Sequence, residues 1–167
     1  MSTKTRTTSP VSLTTTNEWL AGAVGGFIGS IAFGLLMLYA IPAPMLSVVI
    51  PAMYGIEGPA LLAGWAIHQF HGVVLGLAYV ALVRALSGRI GRIASDRTGA
   101  IGLGAAYGVL TTVVLAVLVM PVWLGAVGFA GAPPFPNVSY PGTLVSLIGH
   151  VVYAIPVAVA YALTRSE

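Results

Sequence analysis

Apolar residues occur in four long runs, separated by short segments that are either basic or rich in proline. The runs cover residues 18–41, 60–85, 98–123 and 143–164. Each run contains the roughly 20 apolar residues that an α-helix needs to cross a hydrocarbon core of about 30 Å. Inside a bilayer every backbone amide has to be paired within its own element, and the alternating short segments of a β-barrel do not occur here. The pattern therefore predicts four membrane-spanning helices.

Composition supports an integral membrane protein whose first partner is the lipid bilayer. Of the 167 residues, 57% are hydrophobic and only 7% are charged, whereas about a quarter are charged in ordinary soluble domains. The chain has no cysteine, which excludes disulfides, thiolate metal sites and thiol nucleophiles. Its few basic residues form no stripe that alternates with aromatic residues, so no nucleic-acid partner is expected.

The basic residues all flank the apolar runs on one side of the predicted membrane. They are Lys4, Arg6, Arg84, Arg89, Arg92, Arg97 and Arg165. By the positive-inside rule we expect a multi-pass protein of the cell membrane with both termini in the cytoplasm. Residues 1–17, rich in Ser and Thr, are expected to form a disordered cytoplasmic leader, and residues 86–97 a cytoplasmic loop.

The two segments on the opposite side are 42–59 and 124–142, and both are apolar and rich in proline. Proline prevents a long continuous helix because it lacks the backbone N–H and its ring clashes with the preceding turn. Short interfacial helices, or a cap over the outer end of the bundle, are therefore expected here.

The second half of the chain repeats the first at an offset of 82 residues. The matching pairs include His68 with His150, Tyr79 with Tyr161, Gly22 with Gly104, Gly26 with Gly108 and Pro51 with Pro133. The predicted fold class is all-α, a polytopic four-helix transmembrane bundle made of two tandem two-helix repeats, residues 18–85 and 98–167. Each copy has an even number of spans, so a pseudo-twofold axis along the membrane normal is expected.

One face of the second predicted span and one face of the fourth carry the same pattern of small and polar residues. Positions i, i+4, i+8 and i+11 share a helix face. They are His68, Gly72, Gly76 and Tyr79 in the second span, and His150, Ala154, Ala158 and Tyr161 in the fourth. Small residues four apart let membrane helices approach closely, so these two spans are expected to cross along these faces. A similar stripe in the first span contains Gly22, Gly26, Ser30 and Gly34.

Ionisable side chains inside a bilayer are costly and therefore indicate a candidate site. The candidate residues are His68, His71, His150, Tyr79, Tyr153 and Tyr161. In one interpretation, neutral histidines hydrogen-bond between helices or to the outer cap, the tyrosines belong to an aromatic belt, and no cofactor is expected. In a second, His68 and His150 hold haem b or a transition metal. In a third, His and Tyr side chains line a path for protons or a solute.

Three stretches resemble a known family. They are GAVGGFIGSIAFGLLM, VVIPAMYGIEG and GWAIHQFHGVVLGLAYVALV, which are similar to a family of small four-span membrane proteins common in halophilic archaea. The resemblance implies a membrane location and assigns no chemistry. Proteins of that kind sometimes carry a histidine-kinase label. Here the sequence has no cytosolic dimerisation helices and no ATP-binding glycine boxes, so kinase activity is not expected.

No Ser-His-Asp arrangement, carboxylate pair or phosphate-binding loop is present, so an enzyme is not expected. The predicted function is that of a structural or accessory membrane module, acting as a homo-oligomer or with a partner in a membrane complex. The alternatives are a small transporter or channel with a His- and Tyr-lined interior, and a bis-histidine membrane cytochrome. Glu18 is assigned no chemistry, and Asp96 is expected to be a solvated charge that caps the third span.

Overall fold

The computed structural model describes residues 13–40 and 44–165, with side chains from residue 17 onward. Within these ranges the chain is helical and has no β-strand, so the all-α prediction is confirmed there. Most of the predicted leader, including Lys4 and Arg6, lies outside the described residues. Its last part is helical rather than disordered, because the first helix already begins at Leu13.

Four helices are long and apolar enough to cross a membrane, as the hydrophobic pattern predicted. The stretches that meet this criterion are Asn17–Tyr39, Leu61–Ala85, Arg97–Ala126 and Gly142–Leu163. We call them the first to fourth spans. The described arginines all lie at one end of the bundle, which we call the basic end, and the connecting segments 44–60 and 127–141 lie at the other, the proline-rich end.

The segment predicted as a loop over 86–97 is helical instead, since a short helix runs from Ser87 to Ser95. Ile90 and Ala94, four residues apart, pack against the bundle while Arg89 and Arg92 are exposed. The segment is therefore an amphipathic helix, a pattern that favours a position along the membrane surface. The next residue, Asp96, accepts a hydrogen bond from the Gly99 amide at 2.7 Å, so its predicted role as the cap of the third span is confirmed.

The third span changes its backbone geometry in the middle. It is α-helical over Arg97–Thr111, π-helical over Thr112–Val119 and α-helical again over Met120–Ala126. Pro121 follows the π-helical part and has no N–H, so the carbonyl groups four and five residues before it lose a helical partner. Asn137 replaces that partner: its backbone N–H donates to Val117 O at 2.9 Å, and its side-chain amide donates to Ala116 O at 3.2 Å.

The proline-rich end is covered by short elements, as expected. A π-helical turn over Met45–Val49 leads into a short α-helix, Ile50–Ala52. Leu46 is buried, and a Cβ added to Gly64 would collide with its carbonyl oxygen. Glycine at position 64 therefore allows the connecting segment to lie directly on the second span.

Glycine contacts fix the arrangement of the spans. A Cβ on Gly26 would collide with Gly72 O, and a Cβ on Gly76 would collide with Gly22 O. The stripe of small residues on the second span thus packs against the first span. The expectation that it would cross the fourth span was wrong, because glycine on both helices gives the first and second spans the closer approach.

A different face of the first span packs against the fourth. A Cβ on Gly25 would lie 2.8 Å from Val157 Cα, and Gly29 lies against the Tyr153 backbone. Gly104 and Gly108 of the third span also pack on the fourth. In cross-section the spans therefore follow the order second, first, fourth, third.

Candidate functional site

A cavity of about 410 Å³ lies between the spans in the half of the bundle next to the proline-rich end. We call it the central cavity. Its lining includes Phe33, His68, His71, Val119, Asn137, His150 and Tyr153. The volume is within the range of pockets that bind small molecules, about 300–1,000 Å³.

Two residues of the cavity lining are also substantially exposed. Val74 of the second span and Val119 of the third both line the cavity and are 44% and 37% exposed. They stand on the second and third spans, which each pack closely on another span but little on each other. If the cavity opens to the outside at these residues, the opening lies between the second and third spans.

The first histidine of the cavity is held by a neighbouring helix. His68 is 6% exposed, and its Nε2 donates to the backbone oxygen of Ser30 on the first span at 3.0 Å. A carbonyl oxygen only accepts, so Nε2 carries the proton and Nδ1 of the neutral ring is an acceptor. No described residue hydrogen-bonds to His68 Nδ1.

The second histidine is held within its own helix. His150 Nδ1 donates to Ser146 O at 2.8 Å, which leaves Nε2 of the neutral ring as an acceptor. No partner for this Nε2 occurs in the part of the chain that the structure describes. His68 and His150 line the cavity, and each neutral ring has one acceptor nitrogen without a partner among the described residues.

The third histidine contacts the segment at the proline-rich end. His71 Nε2 hydrogen-bonds to the Tyr54 hydroxyl, and the two rings pack with centroids 5.7 Å apart. Burial raises the pKa of the Tyr54 hydroxyl, so this group stays protonated at neutral pH. The interpretation in which histidines bond between helices or to the outer cap thus describes the contacts of His68 and His71.

Phe33 packs against both His68 and His150. Its ring centroid is 5.7 Å from that of His68 and 4.9 Å from that of His150. A haem ligated by both rings would need its iron on a line between them, in space next to the Phe33 ring. The contacts of Phe33 with both imidazoles therefore argue against bis-histidine haem at these two rings. No group of three or more His, Asp or Glu among the described residues could hold a metal ion.

The candidate tyrosines divide into two groups. Tyr153 lines the cavity, and its hydroxyl donates to Gly72 O at 2.7 Å. Tyr79 and Tyr161 lie outside the cavity lining, toward the basic end, with ring centroids 6.1 Å apart. All three are at most 2% exposed. The assignment of these tyrosines to an aromatic belt was wrong, because belt residues face the lipid at the membrane interface.

Tyr107 belongs to the second group and was missed in the sequence. Its ring packs 5.2 Å from that of Tyr79, and its hydroxyl donates to Leu75 O of the second span at 2.8 Å. The Tyr79 hydroxyl has no hydrogen-bond partner among the described residues. The only sequence signal for Tyr107 was its position one residue before Gly108 of the small-residue stripe.

The basic end contains a charged cluster to which the sequence analysis assigned no chemistry. Glu18 is 2% exposed; its Oε2 lies 2.6 Å from Arg84 Nη1 and its Oε1 lies 2.8 Å from Arg165 Nε. We call these three residues the Glu18 cluster. The sequence does indicate this cluster: Glu18 begins one apolar run, and Arg84 and Arg165 lie at the ends of two others on the same predicted side of the membrane.

Comparison with protein-family models, with curated proteins and with solved structures finds no match to this chain. The resemblance to membrane proteins of halophilic archaea therefore stays a prediction.

Proposed function

We propose that this chain is an integral membrane protein that binds a small, mainly apolar molecule in the central cavity. The observation that carries the proposal is the cavity of about 410 Å³ with two imidazoles in its wall. Each imidazole donates one N–H to a backbone carbonyl and keeps its other nitrogen as an acceptor. The chemistry that fits is a lipid-soluble molecule with at least one hydroxyl or N–H donor.

The cavity favours binding over conduction. Its lining reaches Leu75 and Tyr153 and does not include Tyr79 or Tyr161. Toward the basic end the tyrosine rings fill the space between the spans. A path past both histidines to Tyr79 and Tyr161 is what we expected of a transporter or channel. A ligand-binding module agrees better with the accessory membrane role predicted from the sequence.

Our proposed orientation places the basic end in the cytoplasm, with the cavity in the outer half of the membrane. Its support is the clustering of Arg84, Arg89, Arg92, Arg97 and Arg165 at one end. The chain has no cysteine, so Gly88→Cys and Val138→Cys each supply a single label site. In intact cells we expect an impermeant maleimide to label Val138→Cys only; labelling of Gly88→Cys only would reverse the orientation.

The ligand proposal is tested by what co-purifies with the protein. Val119 lines the cavity, while Val122, three residues further along the same span, does not. We expect mass spectrometry of organic extracts to find a near-stoichiometric small molecule with the wild type and with Val122→Trp. It should be lost from Val119→Trp, because the indole fills the opening. Absence from the wild type, or equal amounts in both variants, would refute the proposal.

A second variant tests the role of the acceptor nitrogens. In His68→Leu an apolar side chain of similar length replaces the imidazole, so both ring nitrogens are lost. Hydrogen bonds between membrane helices average only about 0.6 kcal/mol, so the protein should remain folded. We expect the bound molecule to be lost while the melting temperature changes little. Retention of the molecule in folded His68→Leu would show that the imidazole does not bind it.

A further inference from the structure

We infer that the basic end binds a phosphate group between Arg84 and Arg165. The group would be carried by an anionic lipid headgroup or be free phosphate. The inference is independent of the central cavity and of its ligand, because the two sites lie at opposite ends of the bundle. Three features support it: the net charge of the Glu18 cluster, the N–H groups of the two arginines that have no described partner, and a small cavity beside them.

The charge of the Glu18 cluster is unbalanced. One buried carboxylate faces two guanidinium groups, which always carry a proton in proteins. The cluster therefore keeps one net positive charge. Its arginine side chains are 39% and 36% exposed, whereas Glu18 is 2% exposed. The uncompensated charge thus lies on the side open to an incoming anion.

The two arginines also keep donors that have no partner among the residues the structure describes. A guanidinium group has five N–H donors. Arg84 uses Nη1 for Glu18, while Arg165 uses Nε for Glu18 and Nη2 for the Tyr161 hydroxyl at 3.0 Å. The bond to Tyr161 and the packing of the Arg165 guanidinium over the Tyr161 ring, 5.6 Å from its centroid, fix the orientation of Arg165. The donors are held in place before a ligand arrives.

A cavity of about 160 Å³ lies against these donors and is lined by Arg84, Ser87 and Arg165. Ser87 adds a hydroxyl at the first residue of the amphipathic helix. Two guanidinium groups and a hydroxyl around one small space are the chemistry that binds phosphate oxygens. Basic pockets at helix ends near a membrane surface bind anionic headgroups in this way.

The test measures binding of dioleoyl phosphatidylglycerol to the detergent-solubilised full chain by native mass spectrometry. Ser87→Glu places a carboxylate in the pocket and leaves the Glu18 cluster intact. Glutamate is also favourable in the first turn of a helix, so the fold should not suffer. We expect the variant to bind the lipid about tenfold more weakly, which corresponds to about 1.4 kcal/mol.

Arg89→Gln is the matched control, because it removes an exposed charge of the same end outside the pocket. Its affinity for the lipid should stay within about twofold of the wild type, since exposed charges interact weakly. If Ser87→Glu does not fold, Arg84→Lys replaces it; this variant keeps the charge and removes the two-pronged donor. Wild-type affinity in the pocket variant, or an equal loss in Arg89→Gln, would overturn the inference.

The source of the phosphate is decided by competition. Inorganic phosphate that displaces the lipid from the wild type would show that the phosphate group alone suffices. Lipid binding that persists in excess inorganic phosphate would show that the acyl chains contribute and that the ligand is a lipid. Both results support a phosphate site, provided that Ser87→Glu weakens the binding.

Discussion

Glu18 joins three helices through one side chain. It lies on the first span, and its two oxygens bind arginines at the ends of the second and fourth spans. A carboxylate taken out of water is costly unless it is fully paired. Here each oxygen has its own guanidinium group, so the ion pairs hold the basic ends of the three spans in one arrangement.

Glu18→Gln should therefore lower the stability of the protein. Removing one partner of a buried ion pair costs about 3–5 kcal/mol. The two arginines are more than a third exposed and can regain water, so we expect a smaller loss of about 1–3 kcal/mol. Melting temperatures in detergent measure it. Glu57→Gln is the control, since Glu57 is exposed; equal melting temperatures for both variants would contradict the prediction.

Residue roles could be predicted where they depend on sequence position alone. His68, His71 and His150 were identified because an ionisable group within an apolar run is unusual. Their partners could not be predicted, because the bond from His68 to Ser30 depends on how the first and second spans are rotated about their axes. Glu18 was missed for a related reason, since its partners are 66 and more residues away in the chain.

At the scale of helices, glycine decides which faces meet. The first span uses Gly22 and Gly26 toward the second span and Gly25 and Gly29 toward the fourth. The stripe of small residues was visible in the sequence, but the identity of its partner was not. Several helices carry small residues at the same spacing, so the pattern alone does not select one pairing.

Gly26→Ala tests this pairing directly. The added Cβ would collide with the backbone oxygen of Gly72, which has little freedom to move. Overpacking of this kind costs about 1–3 kcal/mol. Gly102→Ala is the matched control in the third span, where an added Cβ meets no atom within 4 Å, and it should raise stability by up to about 1 kcal/mol through helix propensity. Equal effects of both substitutions on thermal stability would rule out the close approach.

A second feature at this scale is the link between Pro121 and Asn137. The proline removes a helical donor, and Asn137 supplies two donors to the carbonyls that this leaves free. Neither residue indicated the link in the sequence, because the π-helical part between Thr112 and Val119 has no sequence signature of its own. The segment before the fourth span is thereby attached to the third.

A double-mutant cycle measures this link. Asn137→Leu should destabilise the protein by about 1–3 kcal/mol, because it leaves the Ala116 carbonyl without its side-chain donor. In a Pro121→Ala background, residue 121 regains a backbone N–H that can donate to the carbonyls of Ala116 or Val117. The loss of stability caused by Asn137→Leu should therefore be smaller in that background. We expect a coupling energy of about 0.5–3 kcal/mol from chemical or thermal unfolding in detergent. Additive effects would show that the two residues act separately.

For the whole molecule, the four spans followed from the length of the apolar runs, but their packing order and the central cavity did not. The predicted repeat offers a reason for its position. At the offset of 82, Gly25 corresponds to Tyr107 and Val157 corresponds to Leu75. Gly25 and Val157 are in close contact between the first and fourth spans, while the side chain of Tyr107 lies between the third and second spans and bonds to Leu75 O. The first and fourth spans pack closely at Gly25, whereas the Tyr107 side chain lies between the second and third spans at the position that the predicted repeat relates to Gly25.

Tyr107 should therefore control whether the central cavity exists. Tyr107→Phe keeps the ring between the spans and loses only the hydrogen bond to Leu75, so we expect it to retain the bound molecule with a small loss of stability. Tyr107→Ala removes the ring, which costs about 3–5 kcal/mol for a large aromatic side chain, and lets the second and third spans close over the cavity. Co-purification of the bound molecule distinguishes the two variants. If Tyr107→Ala retained it at the wild-type level, the position of the cavity would not depend on this tyrosine.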